Sequence, residues 1–301
     1  MTKTSGTIVF FGTEDFSLTA LQGLIEAGYD IAAVVTKPDS KKGRGWRLVP
    51  SSVKVLATRH NIPVWQPAKL ADIKNEITAL GNVTGVLVSY GKIIPQSIID
   101  LFTPGIINVH PSLLPKYRGP SPIESAIRNG DTQTGISIMQ LSSAMDAGPV
   151  YTAKQYPLDG TETRYELYHA LADVGTNLLL ETLPQIIDGT LQPTAQNENN
   201  ATYCTLLKKS DADLDLHMLT AQEAERTIRA YLGFPKTKLT FHGNTIIVTK
   251  AHVSDVKKTP LDFICRDGAF LSIDELIAPS GRRMDGDAFL RGLRGSTSVA
   301  S

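Results

Sequence analysis

Asn108, His110 and Asp146 place an amide, an imidazole and a carboxylate around a proline-bounded stretch. That stretch runs Pro111-Ser112-Leu113-Leu114-Pro115-Lys116-Tyr117-Arg118-Gly119, and Asp146 follows later within Met145-Asp146-Ala147-Gly148. An amide N–H can meet a developing oxyanion, an imidazole can carry a proton, and a carboxylate can orient that imidazole. These are the groups that acyl transfer needs when no metal takes part.

The elements that must position them can be read from the flanking sequence. Residues 105–110 form a short apolar run ending at Pro111, which predicts a strand. Side chains two apart on a strand share a face, so Asn108 and His110 should project together at its carboxyl end. Residues 136–141 predict another strand, with Asp146 in the small-residue loop just beyond it. Ligands of open parallel sheets bind outside the carboxyl ends of strands, so the three groups can converge there. Each residue taken alone has a plainer reading: Asn108 as a turn cap, His110 as a structural histidine, Asp146 as an Asx-turn before Gly148.

The combination is more specific than its parts. Asn-x-His-Pro-Ser-Leu-Leu-Pro-x-x-Arg-Gly, followed about thirty residues later by Met-Asp-Ala-Gly, resembles the signature of the formyltransferases that use 10-formyltetrahydrofolate. The resemblance implies that Asn108, His110 and Asp146 are the catalytic triad and that Ser112, Leu113, Leu114 and Pro115 contact folate. It implies 10-formyltetrahydrofolate as cosubstrate, with no metal, nicotinamide or nucleotide energy source. The pterin is expected in an apolar cleft between residues 88–94 and the 112–115 loop.

Two further segments discriminate among enzymes with this core. Residues 8–17 read as a strand, a turn at Gly12 and a helix entry, without the glycine-rich phosphate cradle of the glycinamide ribonucleotide transformylases. Glu14 stands where the family has proline, which predicts a looser turn or a helix start favoured by the dipole. Residues 36–54 hold six basic and one acidic side chain among nineteen residues, with glycines and a proline between Lys41 and Pro50, and predict a mobile basic loop. Arg and Lys beside an aromatic can contact phosphates and stack on unpaired nucleotides, although a solvated surface excursion has the same composition. The segment resembles the insertion loop with which methionyl-tRNA formyltransferases open the acceptor end of initiator tRNA. By that resemblance Arg44 is the loop arginine, with Lys42, Trp46 and Arg47 as helpers.

The chain has 301 residues, 42% hydrophobic and 20% charged, with a formal net charge of zero, which suits a globular protein and excludes a uniformly basic nucleic-acid binder. A local basic patch is compatible with that balance. Cys204 and Cys265 lie far apart and no Cys/His spacing suits zinc, so neither a disulfide scaffold nor a structural metal is expected. Without a long apolar run, a cytoplasmic monomer with no membrane partner is expected.

Alternating apolar strands and amphipathic helices over residues 1–190 predict an α/β, Rossmann-like parallel sheet as the formyltransferase domain. A long helix over 164–187, interrupted at Pro184, should close it, with Tyr165, Leu167, Tyr168, Leu171 and residues 178–180 in the core. Polar residues within 191–204 read as a linker. Residues 205–301, a helix and short strands with glycine turns, suggest a small OB-like β-barrel, which the resemblance makes a tRNA-binding domain. This tail looks less like the family, and compressed spacing near 254–260 predicts a trimmed barrel.

The implied reaction moves a formyl group to the α-amine of methionyl-initiator-tRNA. A formyltransferase acting on an amino sugar nucleotide is the nearest alternative. A folate-deformylating hydrolase and an RNA-binding protein on a decayed transferase fold are more remote.

Overall fold

The computed structural model describes residues 6–42 and 47–297. Strand β1 (Thr7–Gly12), helix α1 (Phe16–Glu26) and β2 (Asp30–Val35) open the chain, and the strands β3 (Ser40–Lys42) and β4 (Arg47–Val49) follow. Then come α2 (Ser52–Arg59), β5 (Val64–Trp65), α3 (Lys74–Ala79), β6 (Val83–Val88), α4 (Gln96–Ile99) and β7 (Ile106–His110). Helix α5 (Pro122–Asn129), β8 (Gln133–Gln140), β9 (Val150–Pro157) and α6 (Arg164–Ile187) complete this part of the chain.

Seven strands form one sheet in the order β5-β2-β1-β6-β7-β8-β9. The pairs from β5 to β7 are parallel, and β8 joins β7 antiparallel. All five residues of β7 are buried, as expected of a parallel strand covered on both faces. Val9, Phe11, Val83, Ile98, Phe102 and Ile106 belong to one buried cluster beside the sheet. Each such fully buried side chain contributes about 1.5–3 kcal/mol relative to exposure.

The chain divides into two compact units that interleave in sequence: residues 1–122, 134–157 and 168–204 form the first, and 123–133, 158–167 and 205–301 the second. The 191–204 stretch, read from sequence as a linker, is thus tied into the first unit. Thr194 and Val150 exchange backbone hydrogen bonds at 2.8 Å, and Cys204 N donates to Arg118 O at 2.8 Å. Pro184 does not interrupt α6, which continues through it to Ile187. The hydrogen bond lost at Pro184 is outweighed by packing, because Leu183 and Ile186 on either side are fully buried. Tyr165, expected in the core, is 49% exposed, whereas Leu167, Leu171 and Leu179 are buried.

In the second unit, α7 (Ala221–Ala230) precedes strands β10 (Lys238–Phe241), β11 (Asn244–Ser254), β12 (Asp262–Ile264), β13 (Phe270–Ile277) and β14 (Arg283–Asp285), and α8 (Gly286–Thr297) ends the described chain. The sheet order is β10-β11-β13-β12, with β14 on β13 beyond β12. All its pairings are antiparallel, and no pair joins β10 to β12 or β14 among the described residues, so the sheet is open. Register shifts around Lys250 interrupt the β11–β13 ladder, as a bulge that bends a strand does. Leu239, Phe241, Ile246, Leu271, Leu276 and Phe289 are buried in its core with Ala224 and Ile228 of α7.

Candidate active site

Strand β7 carries Asn108 and His110 on one face, and the opposite face explains why. Val109, between them, lies under α6, where a Cβ added to Gly175 would come within 2.9 Å of Val109 Cγ1. The period of two then turns Asn108 and His110 away from α6. Both are nearly buried, at 5% and 4% exposure. The Asn108 carboxamide has no hydrogen-bond partner among the described residues, yet it is not sealed from solvent, as the wholly buried Tyr90 hydroxyl is. It is an available donor beside the carboxyl end of the strand.

His110 Nε2 lies 2.9 Å from the backbone oxygen of Tyr117. A carbonyl only accepts, so this contact places the proton on Nε2. Nδ1 faces Asp146 Oδ2 at 3.8 Å, an ion-pair distance that is too long for a direct hydrogen bond. The expected convergence of imidazole and carboxylate is therefore present, with a gap between them. Asp146 Oδ2 accepts instead from Gly119 N at 2.8 Å. Asp146 itself has φ +46°, a left-handed conformation uncommon for a residue with a side chain.

The 112–115 loop stands over β8. Ser112 is fully buried; its hydroxyl donates to Lys116 O at 2.5 Å and its carbonyl accepts from Ser137 Oγ at 2.8 Å. Ser137 Oγ also accepts from Leu114 N at 3.0 Å. Ser112 therefore has its hydroxyl engaged inside the loop, while Leu113, Leu114 and Pro115 are half-buried and form its outward part. Across from this, Thr13 N and Glu14 N both donate to Ser89 O, at 3.2 and 3.3 Å. The turn containing Glu14 is thus pinned to the end of β6 and is not loose, and Glu14 precedes α1 instead of lying in its first turn. Tyr90 is fully buried edge-on to Phe11, and burial pushes its phenol up to about 12.

Sequence reading missed the cluster that surrounds these groups. Arg118 is 1% exposed. Its guanidinium donates to both oxygens of Glu198, at 2.8 and 2.7 Å, and with Nε and Nη2 to Gln196 Oε1, at 3.0 and 2.9 Å. Glu198 holds this guanidinium more firmly protonated than usual, and Arg118 in turn keeps the Glu198 carboxyl below the ordinary carboxylate range. Gly119 has φ +121° and passes so close to the strap formed by residues 196–204 that an added Cβ would lie 2.3 Å from Cys204 O. The available signal was a charged residue among small and apolar ones in the signature, whose acceptors about eighty residues on could not be read from spacing.

The basic segment is a hairpin, not an irregular loop: β3 and β4 pair antiparallel, with Lys42 opposite Arg47. Its base is held by Asp39, which accepts from Lys54 Nζ at 2.8 Å and from Gln66 Nε2 at 2.8 Å. These partners hold the Asp39 carboxyl below its ordinary range, Lys54 first. Arg47 is exposed at the start of β4. Lys42 ends β3, while Arg44 and Trp46 lie outside the described residues. Among the described residues, no group of three or more His, Cys, Asp and Glu side chains could hold a metal ion, and no helix is long and apolar enough to cross a membrane.

The fold is thus α/β, with a mostly parallel sheet that brings an amide, an imidazole and a carboxylate towards the carboxyl end of β7. Residues 7–183 match the family model described as formyl transferase. The chain is 39% identical over 270 residues to a methionyl-tRNA formyltransferase of Pseudoalteromonas translucida, covering 89% of this chain and 83% of the relative. It is 38% identical over 287 residues to the methionyl-tRNA formyltransferase of Stutzerimonas stutzeri, covering 91% of each. The chain belongs to the methionyl-tRNA formyltransferases of the formyl transferase family.

Among solved structures, an N-formyltransferase from Helicobacter canadensis in complex with folinic acid and dTDP-3-aminofucose superposes with TM-score 0.67 at 17% identity, covering 88% of this chain and 98% of that one. HypX from Aquifex aeolicus in complex with tetrahydrofolic acid gives 0.66 at 16%, covering 95% of this chain and 47% of that one. Likeness at this level of identity speaks for the fold alone.

Proposed function

We propose that this protein transfers the formyl group of 10-formyltetrahydrofolate to the α-amino group of methionyl-initiator-tRNA, for translation initiation in the cytoplasm. The observation that carries this reading is the meeting of His110 and Asp146 at 3.8 Å beside an Asn108 amide with no partner among the described residues. The names of the relatives in two species supply the acceptor.

In the reaction the amine nitrogen bonds to the formyl carbon, the bond from that carbon to N10 breaks, and a proton passes from the amine to N10. The tetrahedral intermediate carries negative charge on the former carbonyl oxygen. Asn108 Nδ2 donates to that oxygen, an interaction worth about 2.7–4 kcal/mol in comparable sites. His110, held through Nε2, presents Nδ1 towards Asp146, and the amine proton is relayed between these groups on its way to N10. Leu113, Leu114 and Pro115, with the buried Ser112 shaping their loop, and the chain around residues 88–94 bind the folate as a cosubstrate, with no metal.

The basic hairpin is read as the tRNA contact, through Lys42, Arg44, Trp46 and Arg47. Its two short strands and anchored base support that reading, because they give the basic segment a paired stem held at Asp39. The open antiparallel sheet of the second unit is read as an OB-like domain that also touches tRNA. In this reading catalysis belongs to the formyltransferase part within residues 1–190, to which 191–204 is bonded, and tRNA binding to residues 205–301, in a monomer.

Transfer of labelled formyl from 10-formyltetrahydrofolate to charged initiator tRNA tests this, with a dTDP-linked amino sugar as competing acceptor. Formylated tRNA that disappears with His110→Ala is the expected result. Formylation of the sugar alone would overturn the acceptor, and full activity of His110→Ala would overturn the site.

A further inference from the structure

We propose that Gln196 is a positioning residue that holds the Asp146 loop in its working conformation, with Arg118 and Glu198 fixing the orientation of Gln196. The inference rests on the reading of Asp146 as part of the reaction centre.

Asp146 sits in a left-handed conformation, uncommon for residues with a side chain although aspartate and asparagine adopt it more readily than others. Gln196 Nε2 donates to the backbone oxygens of both Asp146 and Gly148, each at 2.7 Å. An amide NH2 has two protons, so one for each carbonyl satisfies it completely. Gln196 Oε1 meanwhile takes both Arg118 donors, Nε and Nη2. Reversing the amide would face its oxygen with two carbonyls and its NH2 with a guanidinium, so the partners leave one orientation.

The same arginine stands between the two reacting groups. Tyr117, the residue before it, accepts from His110 through its carbonyl, and Gly119, the residue after it, donates to the Asp146 carboxylate. Arg118 N donates to Thr202 O and Arg118 O accepts from Cys204 N, both at 2.8 Å. Gln196 therefore connects the backbone of the Asp146 loop to a three-residue segment that touches both His110 and Asp146. Geometric errors of about 1 Å in such a site can lower rates by about a hundredfold.

The test uses the full chain with 10-formyltetrahydrofolate and methionyl-tRNA. Gln196→Glu keeps the acceptor for Arg118 and removes the donor to the two carbonyls. The expected result is a kcat lower by about tenfold or more, with KM for both substrates within about twofold. In an Asp146→Asn background, chosen because asparagine tolerates the left-handed conformation, Gln196→Glu should add less than about twofold, since it acts through a group already removed.

A full second loss on that background, or a change confined to KM, would overturn the proposal. Glu198→Ala is a companion variant on a side chain 67% exposed, with the urea midpoint measured alongside to separate a loss of stability from a loss of kcat. This variant should lower kcat by about threefold at unchanged KM, since the one carboxylate among the three side chains bonded to Arg118, with Gln196 and Tyr203, is lost, and unchanged kcat in both Glu198→Ala and Gln196→Glu would sink the idea. If Asp146→Asn alone retains full kcat, the reading of Asp146 itself is wrong, an outcome separate from any effect at Gln196.

Discussion

Asn108 and His110 differ in what they have left to offer. The imidazole has Nε2 on the Tyr117 carbonyl and only Nδ1 towards Asp146, whereas the Asn108 carboxamide meets no protein partner among the described residues. If Asn108 supplies the oxyanion donor, Asn108→Ala should reduce kcat by about 10²–10³ and leave KM for the folate nearly unchanged. Single-turnover transfer measures this without interference from product release, and a loss of less than about tenfold would remove Asn108 from that role. Both residues were legible in the sequence because they lie two apart on one short strand and a two-residue period needs no tertiary information. Gln196 was not legible. It is one polar residue in a polar stretch, and only the fold brings its amide to the carbonyls of residues 146 and 148.

Helix α7 is set by a local device that the sequence carries in full. Thr220 Oγ1 accepts from Glu223 N at 3.1 Å, and Glu223 Oε2 accepts from Thr220 N at 2.8 Å, a reciprocal capping box. Thr220→Ala should destabilise the protein by about 1 kcal/mol, read from the urea midpoint at constant m-value. The Thr220 N–H, first among its partners, holds the Glu223 carboxyl below its ordinary range. A depressed carboxyl stabilises the fold above about pH 4.3, the unfolded value, and that contribution is lost as pH falls through its folded value. The difference between Glu223→Ala and the parent should therefore be smaller at about pH 3 than at neutrality, and an equal difference at both would exclude the glutamate half of the box. The basic hairpin is the opposite case. Each of its strands is three residues long, and the anchoring of its base on Gln66 depends on a neighbour far beyond any local pattern.

For the whole molecule, the decisive fact is that the second unit includes residues 123–133 and 158–167. Within that unit Glu124 pairs with Arg164 at 2.7 Å, Arg128 Nη1 donates to the Tyr231 hydroxyl at 2.9 Å, and Arg229 Nη1 donates to Glu162 O at 2.6 Å. A chain ended after Cys204 would keep the early segments and remove Tyr231 and Arg229. It should melt several degrees below the full chain and aggregate on heating, followed by circular dichroism with light scattering. A truncated chain melting at the parent temperature would mean that the early segments belong energetically to the first unit.

Alternation of strand and helix, the shared face of Asn108 and His110, and the loop position of Asp146 all came from sequence, because each depends on periods of two or 3.6 residues and on turn chemistry. The passage of α6 through Pro184, the pairing of the basic segment and the open edges of the β10–β14 sheet were decided by tertiary structure. So was the arginine-centred strap at residues 196–204, in which Arg118 is buried against acceptors about eighty residues away. Local patterns specify which face of an element is apolar. They do not specify which distant polar group will satisfy a buried charge, and for Arg118 those groups are Gln196 and Glu198.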